Sequence, residues 1–133
     1  MQELHVGESG LRFTKVGLGC NNFGYFPLAS GMLTGKYGRS GGQAVGRLAD
    51  NFLGLGAAFM TDRNFEVVEK LEAFCKERDR TLLELAISCL AQQRFVSSAI
   101  CGAPPEQVEQ NVAASNWTLT PEELAAVDQL TQA

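Results

Sequence analysis

The chain has 133 residues, and its 11 Lys and Arg against 15 Asp and Glu leave a formal net charge of -4 with the single histidine neutral. Neither a basic excess nor a basic stripe is present to meet a phosphate backbone, so nucleic acid is not an expected partner. With 45% hydrophobic and 20% charged residues the composition is that of one folded globular domain rather than a disordered chain. No apolar run approaches the roughly 18 residues that span a bilayer. The opening MQELHVGESG lacks the apolar core of a signal peptide, so a cytoplasmic location is expected and no membrane partner.

Residues 3–16 alternate imperfectly around Gly7-Glu8-Ser9-Gly10 and predict a β-hairpin. Val16-Gly17-Leu18-Gly19-Cys20 reads as a short strand whose glycines allow another backbone or a ligand to come close. Phe26 to Tyr37 is predicted as a strand end running into a glycine-punctuated loop. Residues 38–60 hold more glycine and little periodicity, the pattern of a functional or flexible loop. The second half is helical. Asn64 is placed to cap a helix whose Phe65, Val68, Leu71 and Cys75 share one face and which ends near Arg78-Asp79. Thr81 and Glu84 have capping-box spacing at the head of a second helix that runs to about Gln93. Phe95 to Cys101 is predicted as a short buried strand ending at Gly102. A helix follows from Pro105 to about Ala114. Thr120-Pro121-Glu122-Glu123 is a second capping box, opening a terminal helix that carries Leu124, Val127 and Leu130. Strands followed by helices imply parallel pairing in an α/β layer.

The four cysteines, Cys20, Cys75, Cys89 and Cys101, form no C-x-x-C pair, so no metal site is expected, and Cys75 and Cys89 read as small buried hydrophobes. Two stretches have the make-up of an anion site. A parallel strand ending at Gly102 and feeding the helix at Pro105 presents free amides and the positive end of the helix dipole to a phosphate. The paired prolines Pro104 and Pro105 remove two of those donors, and many such turns bind nothing. In Pro27 to Tyr37, the small residues Ala29, Ser30, Gly31 and Gly35 permit close backbone approach and Lys36 adds a phosphate-pairing charge. Arg47 has the reach to lie over a nucleotide. On spacing alone, a surface loop with solvated Lys36 and Arg47 is the plainer reading.

Taken together, these segments resemble the aldo/keto reductase family of NADP-dependent oxidoreductases. Leu18-Gly19-Cys20-Asn21-Asn22-Phe23-Gly24 is similar to the family's first barrel strand and the turn after it. Tyr25-Phe26-Pro27-Leu28-Ala29-Ser30-Gly31-Met32-Leu33-Thr34-Gly35-Lys36-Tyr37 is similar to the seventh strand and its cofactor loop. Ile100-Cys101-Gly102-Ala103-Pro104-Pro105-Glu106-Gln107-Val108-Glu109-Gln110-Asn111 is similar to the eighth strand and the helix that holds the adenosine 2′-phosphate. Asn116 to Leu124 resembles the entry to the C-terminal helix. The resemblance implies cofactor contacts from Gly19 and Cys20, Tyr25 stacked on the nicotinamide, and Pro27, Leu28, Ala29 and Ser30 along the pyrophosphate. It places Lys36 nearby and Arg47 over the adenosine. Gly102, Ala103, Gln107, Gln110 and Asn111 would hold the adenine and its 2′-phosphate. Pro104 stands where Ser or Thr is common, and Gln110 where Glu is common.

The resemblance falls in two blocks of a single incomplete domain, residues 1–24 and 25–133. A complete (β/α)8 TIM barrel needs about 250 residues. The fold class implied is therefore α/β, a partial barrel holding the equivalents of strands 1, 7 and 8 with their helices, plus the N-terminal hairpin. The family's proton-donating Tyr and its supporting Lys, Asp and His belong to the stretch between the blocks. The only histidine, His5, lies in the hairpin, and Tyr25 and Tyr37 match cofactor-loop positions. No catalytic residue is therefore assigned, and the chain is expected to reduce nothing alone while keeping weak NADP(H) affinity at most. Two alternatives stand beside this: a non-catalytic module that self-associates or binds a partner through exposed sheet edges, and the non-functional product of a deleted gene.

Overall fold

The structure, a computed structural model, describes residues 3–5, 12–14, 16–18, 28–39, 46, 48–51, 54–93, 96, 99–101 and 104–132. They fall into two compact units. One takes in the chain up to residue 27 and residues 84–119; the other takes in residues 28–83 and 120–133.

The first unit opens with β1 (Glu3–His5) and β2 (Arg12–Thr14), paired antiparallel with Leu4 opposite Phe13. This is the hairpin expected on either side of Gly7-Glu8-Ser9-Gly10. β3 (Val16–Leu18) pairs instead with β4 (Ala99–Cys101), and the two strands run parallel, Val16 beside Ala99 and Leu18 beside Cys101. A parallel pair needs a long crossover between its strands, and here more than half the chain separates them. β4 leads into α4 (Pro105–Ala114), which lies against β3. Ile87 and Ser88 are fully buried, and Ala99, Ala114 and Trp117 nearly so. The Ser88 hydroxyl donates to the Ala114 carbonyl at 2.7 Å. Gln92 donates from Nε2 to the carbonyls of Ser88 and Trp117. The end of α4 and the turn after it are thus tied to the preceding helix by side chains distant in sequence.

The second unit begins with a 3-10 stretch, Ala29–Thr34, where a strand end and loop were expected. Thr34 Oγ1 closes it by donating to the Gly31 carbonyl at 2.7 Å. The expected irregular run 38–60 contains a short helix, α1 (Leu55–Phe59). Its weak sequence signal has a physical cause: the acceptor for the Ala57 amide is Asn51 Oδ1, six residues back, rather than a side chain at the cap. α2 (Asp62–Lys76) is capped by Thr61, not Asn64; Thr61 Oγ1 accepts from the Asn64 amide, while Asn64 Nδ2 donates to the Phe59 carbonyl. Its Phe65, Val68, Leu71, Phe74 and Cys75 are buried, as the helical spacing requires, and it packs on α5 (Pro121–Thr131). Cys75 is buried as expected, whereas Cys89 is only half-buried. α5 opens on the complete capping box: Thr120 Oγ1 accepts from the Glu123 amide, and Glu123 Oε2 accepts from that of Thr120. α3 (Leu82–Ala91) starts directly after Thr81 and carries the chain from one unit into the other.

Candidate functional site

Of the residues singled out in the sequence, Gly19, Cys20, Tyr25, Pro27, Arg47, Gly102 and Ala103 lie outside the described residues, as does Phe26, where the expected strand end begins. Those that are described fall into two groups, one in each unit.

In the second unit, Leu28, Ala29 and Ser30 form the entry to the 3-10 stretch. Ala29, Ser30 and Gly31 all have positive φ, at 45°, 56° and 97°. L-residues with side chains avoid that region, so two consecutive ones there mark a backbone whose shape is imposed by its surroundings. The hydroxyl of Ser30 is shielded from solvent and has no hydrogen-bond partner among the described residues. A buried, unsatisfied hydroxyl is unfavourable by about 1–3 kcal/mol, which makes it a candidate contact for a polar ligand group. After the αL residue Gly35, Lys36 turns back along the same stretch: a Cβ built on Gly31 would stand 3.0 Å from its Nζ. Among the described residues its ammonium meets no carboxylate. The next charged residue behaves oppositely. Arg39 is spent on structure, with Nε on Glu69 Oε1 at 3.1 Å and Nη2 on the Asp62 carbonyl, fixing the end of the loop to α2. Ser30 and Lys36 therefore lie in one short segment, the hydroxyl shielded from solvent and the lysine exposed.

In the first unit, Gln107 and Gln110 are exposed on α4 and Asn111 is buried at 5% exposure. The helix begins after Pro104, which carries no side-chain cap. The amides of Gln107 and Val108 turn back to the Pro104 carbonyl instead. Asn111 sits one turn beyond Gln107, yet the two differ in exposure, and the sequence alone did not separate them. The feature that sequence reasoning missed is Tyr37. It is 3% exposed, and its hydroxyl accepts a long hydrogen bond, 3.4 Å, from the Leu48 amide. A lone tyrosine after a lysine carries no periodic signal that would have marked it as buried.

A profile of the aldo/keto reductase family matches residues 8–132. The L-glyceraldehyde 3-phosphate reductases of Escherichia coli O157:H7 and of strain K12 are each 34% identical over 128 residues, covering 93% of this chain and 37% of their own length. A probable voltage-gated potassium channel subunit beta of Arabidopsis thaliana is 35% identical over 124 residues, 90% of this chain and 37% of the relative. The chain thus spans little more than a third of the curated relatives it matches.

Proposed function

The chain belongs to the aldo/keto reductase family, and on that premise we propose that it is a nicotinamide-dinucleotide-binding portion of such an oxidoreductase, without the groups that deliver a proton. The family's architecture is the (β/α)8 barrel, and this chain corresponds to part of one. Strand eight of a closed barrel has strands one and seven as its neighbours. With the segment at Leu18 read as strand one and that at Ile100 as strand eight, the parallel pairing of β3 with β4 supports an arc of that barrel.

The observation that carries the proposal is the Ala29–Thr34 stretch, where the Ser30 hydroxyl, without a hydrogen bond among the described residues, and the Lys36 ammonium, which meets no carboxylate among them, suit a diphosphate. NADP(H), when bound, supplies a hydride and brings a 2′-phosphate that its family partners hold near α4. There the fit is poorer: Pro104 offers no hydroxyl and Gln110 no charge. Weak binding follows. For reduction of a carbonyl, a positioned acid must give a proton at the same moment. The sequence holds two tyrosines, and Tyr37 has its hydroxyl directed at the Leu48 amide. His5 lies in β1 of the hairpin. On the family resemblance Tyr25 and Tyr37 match cofactor-loop positions and His5 a hairpin position, so none of them is assigned as that acid.

Titration of NADPH fluorescence should therefore show weak, salt-sensitive binding. NADPH oxidation with 4-nitrobenzaldehyde should not rise above background. Turnover well above background would overturn the loss of catalysis; no binding at millimolar NADPH would overturn the cofactor assignment.

A further inference from the structure

Two glycines far apart in the loop, Gly31 and Gly46, leave room for the same side chain. A Cβ built on Gly31 would come within 2.7 Å of Lys36 Cε and 3.0 Å of Nζ; one built on Gly46 would come within 2.8 Å of Nζ and 2.7 Å of the Tyr37 hydroxyl. Both glycines have positive φ, 97° and 145°, so neither position suits a side chain on backbone grounds either. The lysine thus runs through a slot with bare backbone on two sides. The third side is the ring of Tyr37, with Nζ 4.9 Å from its centroid, inside the range of a cation–π contact. Tyr37 is itself immobilised, being buried and bonded through its hydroxyl to the amide of Leu48. A lysine ordinarily loses rotamer freedom when it is fixed by a ligand. A slot that already orders the side chain removes part of that penalty before any anion arrives.

The geometry points to Tyr37 as a positioning residue: its ring holds the Lys36 ammonium in the slot between Gly31 and Gly46, preset for a phosphate at the Ala29–Thr34 stretch. This rests on the cofactor reading above for the identity of the anion, but the seat itself is a property of the free chain. Tyr37 touches no reacting atom; it acts through Lys36.

The test uses the whole chain with isotopically labelled lysine. Without ligand, the ring current of Tyr37 should move the Lys36 Hε resonances upfield of those of Lys70 and Lys76. Tyr37→Phe, which keeps the ring, should keep the shift, and Tyr37→Leu should abolish it. NADPH is then titrated into each variant. Tyr37→Leu should weaken binding about three- to five-fold, the worth of an exposed cation–π contact, while Tyr37→Phe stays within about two-fold. In a Lys36→Met background Tyr37→Leu should change nothing further, because the residue it acts through is gone. Lys36 resonances lying among those of the other lysines in the unmutated chain overturn the proposal, and that measurement needs no variant to fold. Equal losses from Tyr37→Leu with and without Lys36 overturn it too, since they would make Tyr37 merely structural. A shifted Lys36 in a chain that binds no NADPH upholds the seat and overturns the cofactor reading instead.

Discussion

Helices α4 and α5 begin alike and are secured in opposite ways. Each has proline at its first position. At α5, Thr120 and Glu123 satisfy each other's amides, and Glu123 also accepts from Arg78 Nε at 3.1 Å, so one carboxylate both caps its helix and joins it to the end of α2. At α4 the cap position is Pro104, which has no side-chain acceptor, and the helix is held at its far end, where Ser88 reaches the Ala114 carbonyl. α5 is closed by its own sequence. α4 has no side-chain cap at its start, where the amides of Gln107 and Val108 return to the Pro104 carbonyl, and it is tied at its far end by a contact distant in sequence. The two helices show that a proline start can be completed by a local capping box or left to contacts made elsewhere along the helix.

The comparison can be broken most sharply at Ser88. Ser88→Ala leaves the Ala114 carbonyl buried without a donor and should destabilise the chain by about 1–3 kcal/mol in urea unfolding, with α4 amides losing hydrogen-exchange protection first. An unchanged midpoint would mean that α4 is not held from its C-terminal end. Thr120→Ala removes one half of the capping box at α5 and should cost about 1 kcal/mol in the same measurement. Pro104→Ser tests the open end: it supplies a cap hydroxyl, and it should raise stability by a few tenths of a kcal/mol or more while tightening binding of 2′,5′-ADP, seen by calorimetry. Tighter capping without tighter binding would separate the helix start from the cofactor. The smallest effect is at α2. There the Lys70 ammonium, bonded to Glu66 Oε1 at 2.8 Å, holds the Glu66 carboxyl below the usual carboxylate range. A lowered folded-state value means that the pair's contribution is present above that range and fades as pH falls through the depressed value. The pair is exposed, so its sign is best read from an NMR titration of Glu66, whose midpoint should rise in Lys70→Met.

What the sequence made legible follows the same division. The α5 box, the buried face of α2 and the limits of α4 were readable because their determinants lie within a few residues of each other: Thr120 with Glu123, Phe65 with Val68 and Leu71, Pro105 at a helix start. The cap of α2 was displaced to Thr61 because two neighbouring residues, Thr61 and Asn64, both have capping chemistry, and backbone conformation decides between them: Thr61 is extended and Asn64 helical. α1 was missed because Asn51 supports it from six residues away. At the candidate site, Ser30 and Lys36 could be named from composition and resemblance, but not the slot in which Lys36 lies. Its walls, Gly31, Tyr37 and Gly46, are brought together by folding, and the positive φ values of the two glycines leave no periodic trace.

The left-handed pair Ala29-Ser30 has a further consequence for how this segment would answer to mutational selection. In a saturation library screened for folding alone, glycine should outcompete the resident alanine at position 29, because it adopts that backbone without steric penalty. Screened for retention of a dinucleotide, the ranking should invert, since glycine at position 29 as well as 31 would loosen the segment ahead of Lys36 and blur the outline that the anion must match.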